Sequence, residues 1–124
     1  MGIREDFDHQ IEMDLQTLRH LAERGNDDLI ERPIDHSFYH QEKKPLEELA
    51  GFLEKIGFQD TQVKQGEDKK GNVYHYLETK TTERTDSHTV SKTSLLMCCL
   101  SAIFQVGYDG WGTHVENKRV GNIE

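Results

Sequence analysis

The sequence predicts an α+β fold, in which a four-stranded antiparallel sheet carries two helices on one face and a further helix precedes the sheet. Three observations lead to this prediction. In three segments, apolar residues recur every three or four positions, as in helices that bury one face. Four other segments alternate in polarity or lie between turn residues, as strands do. Their order along the chain is helix, strand, helix, strand, strand, helix, strand.

The N-terminal helix is predicted over residues 5–24. Its apolar residues fall at steps of four, four, three and three and therefore share one face: Phe7, Ile11, Leu15, Leu18 and Leu21. Gly25 is expected to end this helix. Residues 30–40 then alternate in polarity and predict the first strand, which tolerates Pro33 near its start.

A second helix is predicted after the first strand. Pro45 is expected to open it, because a proline in the first turn lacks only an N–H that would have no helical partner there. Gly57 is expected to end it. The buried face is predicted to consist of Leu46, Leu49, Phe52, Leu53 and Ile56.

Two strands joined by a loop follow this helix. Residues 58–64 and 73–82 are predicted as the strands, and residues 65–72 supply glycine, asparagine and charged side chains for the connection. The two strands should therefore form an antiparallel hairpin with a longer loop.

The last helix is predicted to run to about residue 105. Asp86 and Ser87 are candidates for its N-cap, and Gly107 is expected to close it. Residues 108–115 then predict a fourth strand, followed by a short polar tail over residues 116–124. The apolar side of the helix is predicted to consist of Val90, Leu96, Met97, Leu100, Ile103 and Phe104.

This order of elements predicts the split βαβ arrangement. Two strand-helix-strand units are joined by a hairpin, and right-handed crossovers place both helices on one face of the sheet. We therefore expect a ferredoxin-like sandwich with an added N-terminal helix. Because 124 residues suffice for one hydrophobic core and not for two, residues 1–124 are predicted to form a single domain.

The charge balance disfavours direct binding to nucleic acid. The chain has 15 Lys and Arg against 23 Asp and Glu, which gives a formal net charge of −8. A phosphate backbone would be repelled unless basic residues clustered on one face, and the basic pairs are short and scattered. An acidic protein of this kind is better suited to a protein partner that is basic.

The cysteines and the N-terminus indicate the compartment. Cys98 and Cys99 are adjacent in an apolar stretch, where they are poorly placed to bridge each other, so they are interpreted as buried thiols in a reducing compartment. The N-terminus has no apolar run typical of a signal peptide, and no stretch approaches the roughly 18 apolar residues of a membrane span. A cytoplasmic protein that does not bind membranes is expected.

The most specific motif is the run Tyr108-Asp109-Gly110-Trp111-Gly112-Thr113. It resembles the signature of the regulator of ribonuclease activity B family of ribonuclease E inhibitors. Residues 27–39 are also similar to the first strand of that family, with Arg32 and His36 at the matching places. The resemblance implies a ferredoxin-like domain that binds ribonuclease E and reduces its cleavage of RNA, with no cofactor and no chemistry of its own. Its candidate partner-binding residues are Tyr108, Asp109, Trp111, Thr113, Arg32 and His36.

Physical chemistry gives this motif two interpretations that remain open. Gly110 and Gly112 permit positive φ or a bulge, which would re-aim the indole of Trp111. Asp109 is expected to accept hydrogen bonds from its own turn. Trp111 could then cap the core, or it could present aromatic area to a partner together with Tyr108. A half-buried indole would serve both roles.

A metal-dependent enzyme is the alternative from another functional class. His36, His40 and His75 are candidate zinc ligands, but a strand rise of about 3.3 Å per residue separates the first two by roughly 13 Å. The sequence contains neither an HExxH motif nor paired CxxC motifs. These histidines are therefore interpreted as polar residues of the sheet.

Two further alternatives are binding modules. Tyr74 and Tyr76 on the third strand could stack RNA bases, as aromatic residues of ferredoxin-like sheets do, although the net charge opposes this. The same fold could also serve as an interaction domain for another partner or as a homodimer that pairs its sheet faces. Sequence alone leaves the oligomeric state open.

Overall fold

The computed structural model describes residues 2–117, except for the side chain of Ile3. Within this range the order of three helices and four strands is the predicted one, and the ferredoxin-like α+β fold is confirmed. Of the predicted tail at 116–124, residues 118–124 lie outside the described part of the chain. The elements are α1 (Ile3–Glu23), β1 (Arg32–His40), α2 (Lys43–Lys55), β2 (Gln59–Glu67), β3 (Val73–Glu83), α3 (Ser87–Phe104) and β4 (Gly107–Gly112).

The strands form one antiparallel sheet in the order β2-β3-β1-β4. Helices α2 and α3 cover one face of this sheet, and α1 packs against α3. On the covered face, Phe38 of β1 lies opposite Leu77 of β3 and Tyr108 of β4. The buried apolar core lies between the sheet and the helices and consists of Phe38, Leu46, Leu49, Leu53, Leu77, Met97, Leu100 and Val106.

Local sequence explains most helix ends. Gly25 follows α1 with φ 80° and Gly57 follows α2 with φ 102°, conformations that glycine adopts without steric cost, so both predicted stops are confirmed. Asp86 caps α3, because its side chain accepts hydrogen bonds from the Thr89 N–H at 3.2 Å and the Thr89 hydroxyl at 2.8 Å.

Gly107 does not close α3 as predicted. Gln105 takes the left-handed conformation there, with φ 57°, and Gly107 is the first residue of β4. A Cβ atom at Gly107 would overlap the ring of Tyr39 on the neighbouring strand. This glycine therefore allows close cross-strand packing of an aromatic ring and does not act as a helix stop.

Other boundaries shift by a few residues. Helix α2 begins at Lys43, so Pro45 lies at its third position, still within the first turn. Strand β2 continues to Glu67, which shortens the predicted loop at 65–72 to its second half. Strand β4 ends at Gly112 and not at Val115.

Several predicted buried positions are exposed. Leu15 is 52% exposed, and the neighbouring Asp14 is buried in its place. Phe52 and Ile56 of α2, also predicted to be buried, are exposed. Leu96 and Ile103 of α3 are exposed as well. At about 100° per residue, Asp14 lies nearer than Leu15 to the centre of the face formed by Ile11, Leu18 and Leu21, so the buried stripe runs through Asp14.

Candidate functional site

A bulge in β4 organises the motif at 108–113. The pairing register of β4 with β1 shifts between His36 and Phe38, and Gly110 has φ 94°. In a regular strand Tyr108 and Trp111, three residues apart, would point to opposite faces. The bulge turns both side chains toward the helices, where Tyr108 packs against Phe38 with ring centroids 5.0 Å apart.

Trp111 is joined to helix α1 through a buried carboxylate. Its Nε1 donates to Asp14 Oδ1 at 2.6 Å, and Asp14 is only 2% exposed. The same carboxylate accepts from the Ser94 hydroxyl at 2.5 Å and from Gln10 Nε2 at 2.8 Å. Three donors from α1, α3 and β4 therefore satisfy a buried carboxylate that would otherwise be costly. Trp111 as a whole is partly exposed.

Tyr108 and His36 form a second polar pair in the interior. The Tyr108 hydroxyl and His36 Nδ1 lie 3.0 Å apart in a hydrogen bond. Burial lowers the pKa of His36 to about 4, so this imidazole is neutral at pH 7. Burial also raises the pKa of Tyr108 well above its ordinary value, with the Asp14 charge contributing. Within residues 2–117, His36 Nε2 is buried without a hydrogen-bond partner.

Arg32 lies at the start of β1 with its guanidinium buried. Its Nε and Nη2 donate to the Ile30 carbonyl at 3.1 and 2.8 Å, and Nη2 also donates to the Asp27 carbonyl at 2.5 Å. Its Nη1 donates to the Asn26 side-chain oxygen. Burial lowers the pKa of Arg32, and the carboxylates of Glu116 and Asp27 oppose that shift. Its Nη1 also lies 3.5 Å from the His114 carbonyl, so Arg32 joins the segment before β1 to the segment after β4.

The two remaining motif residues point in different directions. The Thr113 hydroxyl donates to the Pro33 carbonyl at 2.8 Å and fixes the end of β4 to the start of β1. Asp109 is exposed, and its carboxylate makes no hydrogen bond or ion pair with any residue in the described range. The expectation that Asp109 accepts hydrogen bonds from its own turn is therefore wrong. Its carboxylate faces solvent beside the sheet.

The sheet face opposite α2 and α3 is not covered by any element within residues 2–117. Tyr39 is 49% exposed there and Tyr74 36% exposed. Tyr76 pairs with Tyr39 across the β1–β3 ladder, and its ring centroid lies 6.0 Å from that of Tyr74. We refer to Tyr39, Tyr74 and Tyr76 as the tyrosine strip.

The structure does not assemble the histidines considered as metal ligands. His36 is interior, while His40 Nδ1 bonds to the backbone of Glu42 and His75 Nδ1 to the Gln41 carbonyl. Within the described residues, no group of three or more His, Cys, Asp or Glu side chains is placed to hold a metal ion. In the same range, none of the helices is both long and apolar enough to cross a membrane.

Sequence reasoning missed Asp14 and Ser94. Each is a polar residue on the buried side of its helix, Asp14 between Ile11 and Leu18 and Ser94 between Val90 and Met97. Such a residue interrupting an apolar stripe indicates a buried polar contact. The pattern of a single helix cannot identify the donor, since the indole of Trp111 lies 97 residues away.

Comparison with known proteins agrees with the resemblance carried by the motif at 108–113. The family model described as regulator of ribonuclease activity B matches residues 11–113. A protein of that name from Colwellia psychrerythraea is 28% identical over 96 residues, and those from Aeromonas hydrophila and Aeromonas salmonicida are 32% and 31% identical over 96 residues. Each alignment covers 77% of this chain and 83% of the relative. The chain therefore belongs to the regulator of ribonuclease activity B family.

Proposed function

We propose that this chain is a non-enzymatic regulator that binds an endoribonuclease of the ribonuclease E type and inhibits its cleavage of RNA. The observation that carries the proposal is the family match over residues 11–113, which includes most of α1 and all of the sheet. The relatives are named for regulating ribonuclease activity. The proposal places the protein in the cytoplasm, where its partner acts on RNA.

The contact surface of the proposed complex is the open sheet face together with the turn that carries Trp111. This face holds the tyrosine strip, and tyrosine is among the residues that dominate interface energies. The turn lies at its edge, where Asp109 is exposed and Trp111 is partly exposed. Because the indole of Trp111 points toward the helix side, a partner that touches both features wraps around the β4 edge of the sheet.

The candidate residues divide into two roles in this proposal. Asp109 and the exposed part of Trp111 contact the partner. Arg32, His36 and Tyr108 are positioning residues, because their polar groups are engaged inside the protein and hold β1 and β4 in place. Thr113 belongs with them through its hydrogen bond to Pro33.

Inhibition of RNA cleavage by the purified chain tests the proposal. Increasing amounts of the protein are added to purified ribonuclease E with a single-stranded RNA substrate, and complex formation is followed separately by analytical ultracentrifugation. We expect a saturable fall in cleavage rate, a complex with the enzyme and no binding to the RNA alone. Normal cleavage and no complex at saturating protein would refute the proposal and favour the same fold serving another partner or pairing with itself.

Substitutions at Trp111 separate binding from folding. Trp111→Ala should weaken the complex, but it also removes a donor from buried Asp14 and so affects the fold. Trp111→Phe loses the same donor while it retains aromatic area, so the two variants share the folding defect and differ at the surface. Glu48→Gln, on the exposed side of α2, is the matched control and should inhibit like the unmodified chain.

A further inference from the structure

We propose that two copies of this chain pair, about a two-fold axis, through an apolar patch on the outer side of α2 and α3. This patch, called the helix patch below, consists of Phe52, Ile56, Leu95, Leu96 and Ile103. It lies on the helix side of the molecule, away from the open sheet face. The pairing is therefore independent of the proposed contact with a ribonuclease.

The helix patch brings together apolar residues of two neighbouring helices. Its five side chains are between 39% and 71% exposed, and Ile103 is the most exposed of them. Phe52 and Ile56 lie one turn apart on α2, and the ring centroid of Phe52 is 5.9 Å from that of Phe104 on α3. Ile103 precedes Phe104 and lies two turns from Leu96. Single exposed apolar residues need no explanation, but a cluster of this kind marks a surface for another protein.

Helix α3 is apolar on its outer side as well as on its inner side. Met97 and Leu100 belong to the core, whereas Leu95 is 45% and Leu96 39% exposed. From residue 93 to residue 108 the sequence contains no Asp, Glu, Lys, Arg or His. A helix that is hydrophobic all round is ordinarily buried on every side. The residues at 2–117 leave the outer side of α3 exposed, so a further molecule is needed to cover it.

The absence of charge favours a second copy as that molecule. Interfaces between transient partners are about as polar as the rest of the surface, whereas homodimer interfaces are more apolar and poor in charged residues. The chain carries a net charge of −8, yet none of its charged residues falls within residues 93–108. A charged segment of another protein would find no ion-pair partner on this stretch. A second copy brings the same uncharged stretch to the contact.

The spacing of the outer residues suits a two-fold axis. Leu96, Cys99 and Ile103 follow one another at steps of three and four and therefore share one stripe of α3. Cys99 is partly exposed near the middle of this stripe. When two α3 helices cross antiparallel about an axis at Cys99, Leu96 of each copy meets Ile103 of the other. The stripe is thus complementary to itself, as an interface between identical surfaces requires.

The helix patch is large enough for a specific contact. Its five side chains expose roughly 500 Å² in one copy, so two copies would bury about 1,000 Å² of apolar surface, the lower limit expected of a specific interface. Glu48 and Lys55, exposed on α2, supply a polar rim beside it. A contact of this size predicts a dimer in equilibrium with its monomer.

Sedimentation equilibrium of the full chain in reducing buffer tests the pairing. We expect a reversible dimer. Ile103→Glu places a charge against Leu96 of the second copy and should raise the dissociation constant about tenfold or more. Leu29→Glu adds the same charge at an apolar residue that is 63% exposed in the segment before β1, and should pair like the unmodified chain. A monomeric unmodified chain, or an equally tight dimer of Ile103→Glu, would overturn the proposal.

Cross-linking with a short bismaleimide locates the two-fold axis without disturbing the helix patch. We expect covalent dimers of the unmodified chain and of Cys98→Ser, and none of Cys99→Ser. Cys98 is buried, and burial raises the pKa of its thiol to about 11, so it reacts slowly. Covalent dimers that persist in Cys99→Ser, or none in the unmodified chain, would contradict the arrangement about Cys99.

Ribonuclease binding separates this proposal from the inhibitor proposal. Ile103→Glu should bind ribonuclease E like the unmodified chain, because the helix patch lies away from the sheet face. If the unmodified chain is monomeric and Ile103→Glu loses this binding, the patch belongs to the ribonuclease contact and the pairing of copies is wrong. If the unmodified chain dimerises but does not bind ribonuclease E, the inhibitor proposal fails and the pairing stands.

Discussion

The indole Nε1 of Trp111 donates a 2.6 Å hydrogen bond to Asp14 Oδ1, across 97 residues of sequence. Asp14 is buried and lies on α1, whereas Trp111 lies on the edge strand β4. The bond therefore ties the added N-terminal helix to the motif strand. Loss of this bond leaves a buried carboxylate with two of its three donors, which makes the contact sensitive to substitution.

The first prediction concerns this bond. Trp111→Phe should lower the free energy of unfolding by about 1–3 kcal/mol, because a donor to a buried carboxylate is lost. Asp14→Asn should lower it as well, and the double variant should cost less than the sum of the two. Urea denaturation followed by circular dichroism measures all three. Strict additivity would show that the two side chains are not energetically coupled.

The second prediction is a pH dependence that arises from His36. Its pKa is about 4 in the folded protein, below the value of about 6.5 in an unfolded chain. The unfolded state therefore binds the proton more readily. The contribution of neutral His36 to the free energy of unfolding is complete above about pH 6.5 and declines as the pH falls toward 4. The loss should reach about 3 kcal/mol.

Urea denaturation between pH 7.5 and 4 checks this dependence. His36→Gln should remove most of the decline below pH 6.5, whereas His88→Gln, on the exposed side of α3, should retain it. An unchanged decline in His36→Gln would assign the effect to other groups.

The third prediction concerns Arg32. Arg32→Lys should destabilise the protein by about 2–4 kcal/mol, since a single ammonium group cannot reach the Ile30 and Asp27 carbonyls and the Asn26 side chain together. Thermal unfolding measures the effect. Arg19→Lys, on the exposed side of α1, serves as the control and should leave the melting temperature nearly unchanged. If both variants melt alike, the internal hydrogen bonds of Arg32 do not stabilise the fold.

The fourth prediction uses two glycines with open space around them. A Cβ at Gly110 or at Gly51 would have nothing within 4 Å, but Gly110 has φ 94° and Gly51 lies inside α2. Gly110→Ala should therefore destabilise the protein by about 1–2 kcal/mol through backbone strain. Gly51→Ala should stabilise it by about 0.5–1 kcal/mol, because alanine favours the helix. Chemical denaturation of both variants tests whether the signs are opposite.

The fifth prediction concerns the packing of the Tyr39 ring over Gly107. Gly107→Ala should displace its ring, since a Cβ at residue 107 would overlap it, while the exposed position of the ring keeps the loss of stability small. The upfield ring-current shift of the residue 107 Hα, seen by NMR, should disappear. Gly112→Ala, with nothing within 4 Å of its Cβ, should leave that signal in place. An unshifted Gly107 Hα in the unmodified chain would contradict this packing.

Sequence reasoning succeeded where the cause is local. Strand β1 buries alternate residues from Arg32 to Phe38 because successive side chains of a strand point to opposite faces. Gly25 and Gly57 end their helices because only glycine adopts positive φ freely. The family motif at 108–113 was also recognisable from its letters alone.

Sequence reasoning was wrong where a contact with a residue distant in sequence decides the environment of a side chain. Leu15 is apolar and Asp14 is not, yet Asp14 is buried, because Ser94 and Trp111 supply donors from other elements. Gly107 follows α3 as a helix stop would, but the ring of Tyr39 is what requires a glycine there.

Periodicity, capping and turn residues act over a few positions, so the order of the helices and strands, most of their ends and the family follow from the chain alone. Contacts between distant segments, in contrast, place the polar groups of Arg32, His36 and Tyr108 inside the protein while Asp109 faces solvent beside the tyrosine strip. The physical reason is that a polar side chain can be buried only where partners from distant segments satisfy it, and folding alone brings those segments together.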